Sequence, residues 1–203
     1  TRRRINSGDI DYTDIHLSHS ALQLRQGFLG SLDYAVVEVA AIKEDGSAVP
    51  SSSVGNNAVY LERAEKVILE VNSWQSLDLE GMHDVYRNVQ LPPHRLPLPL
   101  TGAGDRIGEP TYHIDPAKVV AVVECERPDR NTPFKAPDAI SEAIAGYYID
   151  FLSAEVKRGT LPASLLPLQS GVGNVANAVL AGLKDGPFND LVSFTEVIQD
   201  GMV

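Results

Sequence analysis

The chain has 203 residues, of which 27 are acidic and 17 are basic, so its formal net charge is −10. Hydrophobic residues make up 43% of the sequence, which is too many for a disordered chain of this charge. The acidic balance argues against nucleic-acid binding, although one local site can still hold a phosphorylated small molecule. No apolar run approaches the ~20 residues of a membrane span, so we expect no membrane partner.

The chain contains one cysteine, Cys125, so it cannot form an internal disulfide. This usage favours a reducing compartment, the cytoplasm or, in a eukaryote, the mitochondrion. Cys125 follows an apolar run at 118–124, and we interpret it as a small core residue.

The first part of the chain reads as alternating helices and strands. In chain order we predict a helix at 21–30, a strand at 34–42, a helix at 57–64, and strands at 66–72 and 118–124. The strands are short β-branched runs such as YAVVEVAAI, which suits burial on both faces. Residues 91–110 contain five prolines and three glycines, so we predict an ordered loop there.

The second part begins with the clearest helix, at 137–159. Asp138 or Ser141 is its candidate cap, and Gly159 stops it. Four shorter elements follow. They are an extended segment at 165–169, a glycine-bearing turn at 170–174, a helix at 175–183 and a strand at 191–195.

Strands alternating with helices indicate an α/β fold with an open, mostly parallel sheet. Ligands of such sheets bind in the turns beyond the carboxyl ends of the strands. The turns at 170–174 and 196–200 are therefore the first places to search for a site.

The turn at 170–174 and Glu196 are the strongest candidates in those places. The turn carries Gly171 and Gly173 before a helix, which leaves N–H groups open to an anion or an oxyanion. It lacks the third glycine of a dinucleotide fingerprint, and tight packing alone also explains it. A glutamate is a carboxylate at neutral pH and needs no general base to act as a nucleophile, but a capping or solvent-facing role for Glu196 stays open.

The histidines give weaker signals. His16 and His19 follow Asp14 at metal-ligand spacing, but without a further ligand they read as packing residues, and we expect no metal. His94 and Arg95 lie in the proline-rich loop, where an acyl or phosphate contact and a loop anchor are both open interpretations.

Long motifs throughout the chain resemble the acetyl-CoA hydrolase/transferase family, which includes the succinyl-CoA:acetate CoA-transferases of class I. They are listed here as they stand: DYTDIHLS at 11–18, SSVGN at 52–56, VILEVNS at 67–73, LPPHR at 91–95, DRIGEP at 105–110, LLPLQSGVGNVANAV at 165–179 and FTEVIQDGM at 194–202. Members of that family are about twice this length or more, and the chain resembles their middle portion.

The resemblance implies two α/β domains, with 1–159 the C-terminal part of the first and 160–203 the N-terminal part of the second. It implies that Glu196 attacks the acyl-CoA thioester. It also implies a CoA-binding loop formed by Gly171, Val172, Gly173, Asn174 and Val175.

The activity that the resemblance implies is transfer of CoA between acetyl- or succinyl-CoA and a small carboxylic acid through a glutamyl-CoA thioester. The expected partners are acyl-CoA and carboxylate substrates, coenzyme A is the only cofactor, and a homodimer is the expected assembly. Hydrolysis of acetyl-CoA by the same Glu196 and a non-catalytic acyl-CoA-binding fragment are the alternatives.

Overall fold

The computed structural model describes residues 1–87, 90–130 and 136–198. The described residues fall into two compact units. The first is formed by Thr1–Pro99 and Arg106–Asp129, and the second by Leu100–Asp105 and the chain from Arg130 onward. Among these residues, no helix is both long and apolar enough to cross a membrane. The predicted boundary between domains at 159/160 concerns the longer family fold and stays a prediction.

The helices and strands of the first unit are α1 (Arg2–Asn6), α2 (Leu17–Arg25), β1 (Leu32–Ile42), β2 (Ala48–Pro50), α3 (Asn57–Arg63), β3 (Ala64–Asn72) and β4 (Val119–Cys125). Those of the second unit are α4 (Ala139–Arg158) and α5 (Asn174–Lys184). Most predicted elements are present with shifted ends. The predicted helix at 21–30 begins earlier, at Leu17, and ends at Arg25.

The sheet of the first unit has the strand order β2-β1-β3-β4. β3 lies in the centre and pairs in parallel with both β1 and β4, while β2 pairs antiparallel with β1. The predicted α/β class with an open, mostly parallel sheet is therefore confirmed. The sequence does not predict β2, because three residues are too few to show an alternating pattern.

Only one face of this sheet is buried within the described residues. Val37 and Val39 of β1 and Val67 and Leu69 of β3 are at most 2% exposed and form the core with Tyr112. On the other face Val36 is 62% exposed, and every residue of β4 is exposed or only half-buried. The prediction of strands buried on both faces is therefore wrong for these residues, because the β-branched runs reflect strand propensity rather than burial.

Cys125 is also not a core residue. It lies half-buried at the end of β4, where its thiol donates to Glu70 Oε1 at 3.1 Å. This bond to a carboxylate, together with burial, raises the pKa of the Cys125 thiol. The thiol is therefore held protonated at neutral pH, which disfavours nucleophilic chemistry.

The loop at 91–110 contains no helix or strand, as predicted, and its last residues are bonded to the segment that precedes it. Asp84 accepts from the backbone N–H groups of Ile107 and Gly108, and Arg106 donates to the Gly81 carbonyl at 2.8 Å. The backbones of Val85 and Glu109 pair antiparallel, with N···O distances of 2.7 and 3.1 Å. We call the paired segments 81–87 and 106–109 the clasp.

Helix α4 carries the end signals that the sequence predicts. The carboxylate of Asp138 accepts from the Ser141 backbone N–H at 2.8 Å, and Gly159 ends the helix in a left-handed conformation, with φ 78°. The bonds from the backbone and hydroxyl of Ser141 lower the pKa of Asp138 below its ordinary 3.8.

The Asp138 cap predicts a pH-dependent stability. Because the folded state lowers this pKa, the charged cap stabilises the fold above pH 3.8, and that contribution is lost as the pH falls through the folded value. We expect Asp138→Asn, which keeps an acceptor but no charge, to be less stable than the parent at pH 7. The difference in unfolding midpoint should shrink below pH 4. Urea unfolding measures the midpoints of both proteins. A difference between parent and variant that is equal at pH 7 and below pH 4 contradicts this account.

Candidate active site

Two short segments of the second unit, 168–170 and 192–195, lie side by side. The Leu168 N–H donates to the Val192 carbonyl and the Phe194 N–H donates to the Leu168 carbonyl, each at 2.8 Å. This is one parallel bridge and not the strand predicted at 191–195. Two residues explain the short pairing: Leu165 has a φ of 55°, which no strand residue adopts, and Pro167 has no N–H to donate.

Thr195 extends this pairing with its side chain in place of its backbone. The Ser170 N–H donates to Thr195 Oγ1 at 3.3 Å, and Thr195 Oγ1 donates to the Ser170 carbonyl at 3.0 Å. The carbonyl of Val197 is a second acceptor for this hydroxyl, at 3.3 Å. A hydroxyl carries one proton, so it donates to one carbonyl at a time while it accepts from Ser170.

The predicted loop at Gly171, Val172, Gly173, Asn174 and Val175 follows Ser170 directly. Gly173 has φ 137° and ψ 170°, a conformation that other residues rarely adopt, and it precedes the first residue of α5. Among the described residues no side-chain hydrogen bond caps α5, and Val172 is 63% exposed. The loop therefore presents the start of a helix with no capping side chain over its first N–H groups, which is the arrangement that favours anions.

Glu196 is exposed and follows Thr195 directly. The Thr195 hydroxyl contacts the backbone of Ser170, which itself precedes the loop. The candidate nucleophile and the candidate loop are therefore each one residue away from the same pair of hydrogen bonds. Of the second predicted turn, at 196–200, residues 199–200 lie outside the described residues. The roles of Glu196 and of the loop residues stay predictions.

An open cavity of about 370 Å³ borders these segments. Its lining includes the polar residues Ser170 and Ser193 and the apolar residues Phe188 and Leu183. Lys184 contributes the one basic side chain of this lining. The base of the loop therefore adjoins open space of mixed polarity rather than a packed core.

The other candidates do not join this site. The rings of His16 and His19 contact each other edge to face, with centroids 5.3 Å apart. His94 and Arg95 are exposed in the proline-rich loop of the first unit. Over 1–87, 90–130 and 136–198, no three His, Cys, Asp or Glu side chains gather as metal ligands.

Sequence reasoning missed Thr195 as a partner of Ser170. One signal for it is present: Ser193 and Thr195 are the polar, alternate residues of LVSFT, so both side chains fall on one side of an extended segment. Ser193 donates to the Leu168 carbonyl at 3.1 Å, which agrees with that pattern. The identity of the partner segment depends on the tertiary fold.

Comparisons with known proteins identify relatives of this chain. A family model described as the acetyl-CoA hydrolase/transferase N-terminal domain matches residues 1–124. A succinyl-CoA:acetate CoA-transferase of Clostridium kluyveri is 45% identical over 202 residues, covering 100% of this chain and 37% of that protein. An acetyl-CoA hydrolase of Eremothecium gossypii is 45% identical over 208 residues, covering 99% of this chain and 39% of that protein. The chain thus spans less than half the length of these curated relatives.

Solved structures of similar fold are also known. A 4-hydroxybutyrate CoA-transferase of Porphyromonas gingivalis aligns at 25% identity with a TM-score of 0.56, over 93% of this chain and 37% of that one. RipA of Yersinia pestis aligns at 22% identity with a TM-score of 0.65, over 99% of this chain and 37% of that one. The second likeness concerns the fold alone.

Proposed function

Because the chain belongs to the acetyl-CoA hydrolase/transferase family, we propose that the full-length protein transfers CoA from acetyl- or succinyl-CoA to a small carboxylic acid. One observation carries this proposal beyond family membership. The exposed Glu196 follows the residue whose hydroxyl is bonded to Ser170, at the base of the 171–175 loop. A carboxylate nucleophile and a set of helix-start N–H groups are the two components that acyl exchange needs.

Glu196 carries the covalent chemistry in this proposal. A carboxylate oxygen of Glu196 attacks the thioester carbonyl carbon, the C–S bond breaks, and CoA leaves as a thiolate with the electron pair. The thiolate attacks Cδ of the resulting acyl-glutamyl anhydride, which releases the first acid as a carboxylate and leaves a glutamyl-CoA thioester. An acceptor carboxylate reverses these steps and restores Glu196. Covalent catalysis thus divides one difficult exchange into easier steps without consuming a proton.

The loop supplies electrostatic stabilisation. Each tetrahedral centre places negative charge on an oxygen, and the backbone N–H of Val172 is our proposed donor to it. Loss of one such donor typically costs ~3–4 kcal/mol of transition-state stabilisation. Gly171, Gly173, Asn174 and Val175 are proposed to contact CoA, because the uncapped start of α5 favours an anionic ligand. This local site accounts for an anionic cofactor on a chain of net charge −10.

Hydrolysis of acetyl-CoA is the second candidate function. The name of the Eremothecium gossypii relative favours it. The two activities share the glutamyl-CoA thioester and differ only in whether a carboxylate or water resolves it. Exclusion of water from the closed site therefore decides between them.

The proposal is tested by trapping the intermediate in the full-length protein. Borohydride reduction after incubation with acetyl-CoA should convert the Glu196 thioester to an alcohol, and peptide mass spectrometry should locate the change. The acid acceptor is omitted so that the intermediate accumulates. Reduction of another glutamate in place of Glu196 overturns the assignment of the nucleophile.

The acceptor dependence of CoA release then separates the two activities. A transferase should release little free CoA from acetyl-CoA alone and should form succinyl-CoA when succinate is added. A hydrolase should release CoA at the same rate with and without acids. Binding of acetyl-CoA with neither reaction is the outcome expected of a non-catalytic protein.

The remaining expectations accompany this proposal. We propose the division into a first domain at 1–159 and a second at 160–203, a homodimeric assembly, and a reducing compartment such as the cytoplasm or the mitochondrion. The single cysteine supports the last of these.

A further inference from the structure

We propose that Thr195 is a positioning residue that holds the Glu196 carboxylate against the 171–175 loop through its two hydrogen bonds to Ser170. This inference rests on the proposed function, because it assigns a purpose to the geometry around the proposed nucleophile. It concerns a residue that touches neither substrate nor cofactor in the proposed mechanism.

The backbone pairing of the two segments stops short of the site. Leu168 is the last residue of the first segment that forms backbone–backbone hydrogen bonds with the second segment. At the next alternate position, Ser170 bonds to the hydroxyl of Thr195 and not to a backbone group of the other segment. The side chain therefore replaces the backbone at the position nearest to both Glu196 and the loop.

The bonding capacity of the hydroxyl suits this purpose. Thr195 Oγ1 accepts from the Ser170 N–H and donates to the Ser170 carbonyl, so it engages both polar backbone groups of one residue. Two bonds to the same residue restrain translation and rotation of one segment relative to the other. Thr195 is half-buried, whereas Glu196 and Gly171 on either side of the contact are exposed. The Thr195–Ser170 contact is therefore partly buried, whereas the proposed nucleophile and the proposed CoA-binding loop beside it are exposed.

The threonine methyl group adds a second restraint. A β-branched side chain has few χ1 rotamers, so the hydroxyl is oriented before the contact forms. Displacement of a reacting group by about 1 Å can cost about 100-fold in rate. Loss of the hydroxyl frees the segment at its junction with Glu196, and we expect the effect to fall on the chemical step rather than on acyl-CoA binding.

The test uses isosteric and conservative variants of the full-length protein. Thr195→Val keeps the shape and removes both bonds to Ser170 together with the alternative bond to the Val197 carbonyl. We expect kcat to fall about 10- to 100-fold with KM for acetyl-CoA changed by less than about threefold. Thr195→Ser keeps the hydroxyl, and its kcat should stay within about threefold of the parental value. Ser193→Ala is the matched control, because it removes the bond from Ser193 Oγ to the Leu168 carbonyl in the same pair of segments.

A merely structural role predicts a different pattern. In that case each of Thr195→Val and Ser193→Ala should lower kcat only as far as it lowers the unfolding midpoint. Thr195→Val should then lose no more kcat than its loss of stability explains. A trapping measurement gives a second readout: the rate at which acetyl-CoA modifies Glu196 should fall with kcat in Thr195→Val. Normal kcat in Thr195→Val, or a Thr195→Ser variant as slow as Thr195→Val, overturns the inference.

Failure of this inference and failure of the proposed function are distinguishable. If Glu196 is reduced by borohydride in the parent and Thr195→Val is fully active, only the positioning role is wrong. If Glu196 is not modified in the parent, the nucleophile is wrong, and the inference is overturned with it.

Discussion

Replacement of Glu196 by glutamine in the full-length protein should lower the rate of acyl exchange by at least about 10⁴-fold, as loss of a nucleophile does in other covalent enzymes. The amide has nearly the shape of the carboxylate, but it is neutral and forms no anhydride. Because Glu196 is exposed, the substitution should leave the unfolding midpoint unchanged. Loss of rate at constant stability is the signature of a chemical role.

Glu142→Gln is the control for Glu196→Gln. Glu142 is an exposed carboxylate in the first turn of α4, also in the second unit. An exposed substitution of this kind usually changes the free energy of unfolding by no more than about 0.5 kcal/mol, and Glu142 has no role in the proposed chemistry, so we expect Glu142→Gln to keep the parental rate. Steady-state assays of CoA transfer compare the two variants. Turnover near the parental rate in Glu196→Gln is incompatible with the proposed mechanism.

Replacement of Gly108 by alanine should destabilise the protein by about 3 kcal/mol, because the added methyl group meets backbone that cannot move away. A Cβ built at Gly108 would overlap the carbonyl carbon of Val85 and would lie only 2.7 Å from the backbone nitrogen of Tyr86. The segments of the clasp approach this closely because Asp84 accepts from the Gly108 N–H. Relief of the clash requires opening that contact.

Gly104→Ala provides the matched control in the same loop, because a Cβ at Gly104 meets nothing within 4 Å. We expect it to change stability by less than about 0.5 kcal/mol. Guanidinium unfolding of both variants measures the difference. Equal stability of Gly108→Ala and Gly104→Ala would contradict the prediction, because it would mean that the two segments of the clasp can move apart without loss of stability.

Local sequence signals predict much of this fold, because several helices and strands are determined by residues within or directly beside them. Helix α4 has a capping aspartate and a terminating glycine, and β1 and β3 are β-branched runs of strand length. These signals act over a few residues, so a single chain segment reveals them. The alternation of strands with helices predicts the mostly parallel pairing, whereas the strand order β2-β1-β3-β4 comes from the structure alone.

Burial and pairing across the chain are harder to predict, since they depend on distant residues. The apolar run of β4 resembles a core strand, yet no residue of it is fully buried among the described residues. The strand predicted at 191–195 is limited by Leu165 and Pro167, which lie just before its partner segment 168–170. Glu196 and the loop are readable from motifs, whereas the Thr195 bond that links them needs the tertiary structure.

The residues before and after 91–105 are joined by the clasp and by further contacts, so we expect the chain to tolerate a cut there. A break within the loop at 91–105 would divide the polypeptide, but β4 would still hydrogen-bond to β3 of the other piece. Tyr112, which is 1% exposed, would still complete the core, and its backbone would still pair with Ala48. Two polypeptides separated in this loop should therefore reassemble by fragment complementation, which makes the loop a natural position for a split reporter of the fold.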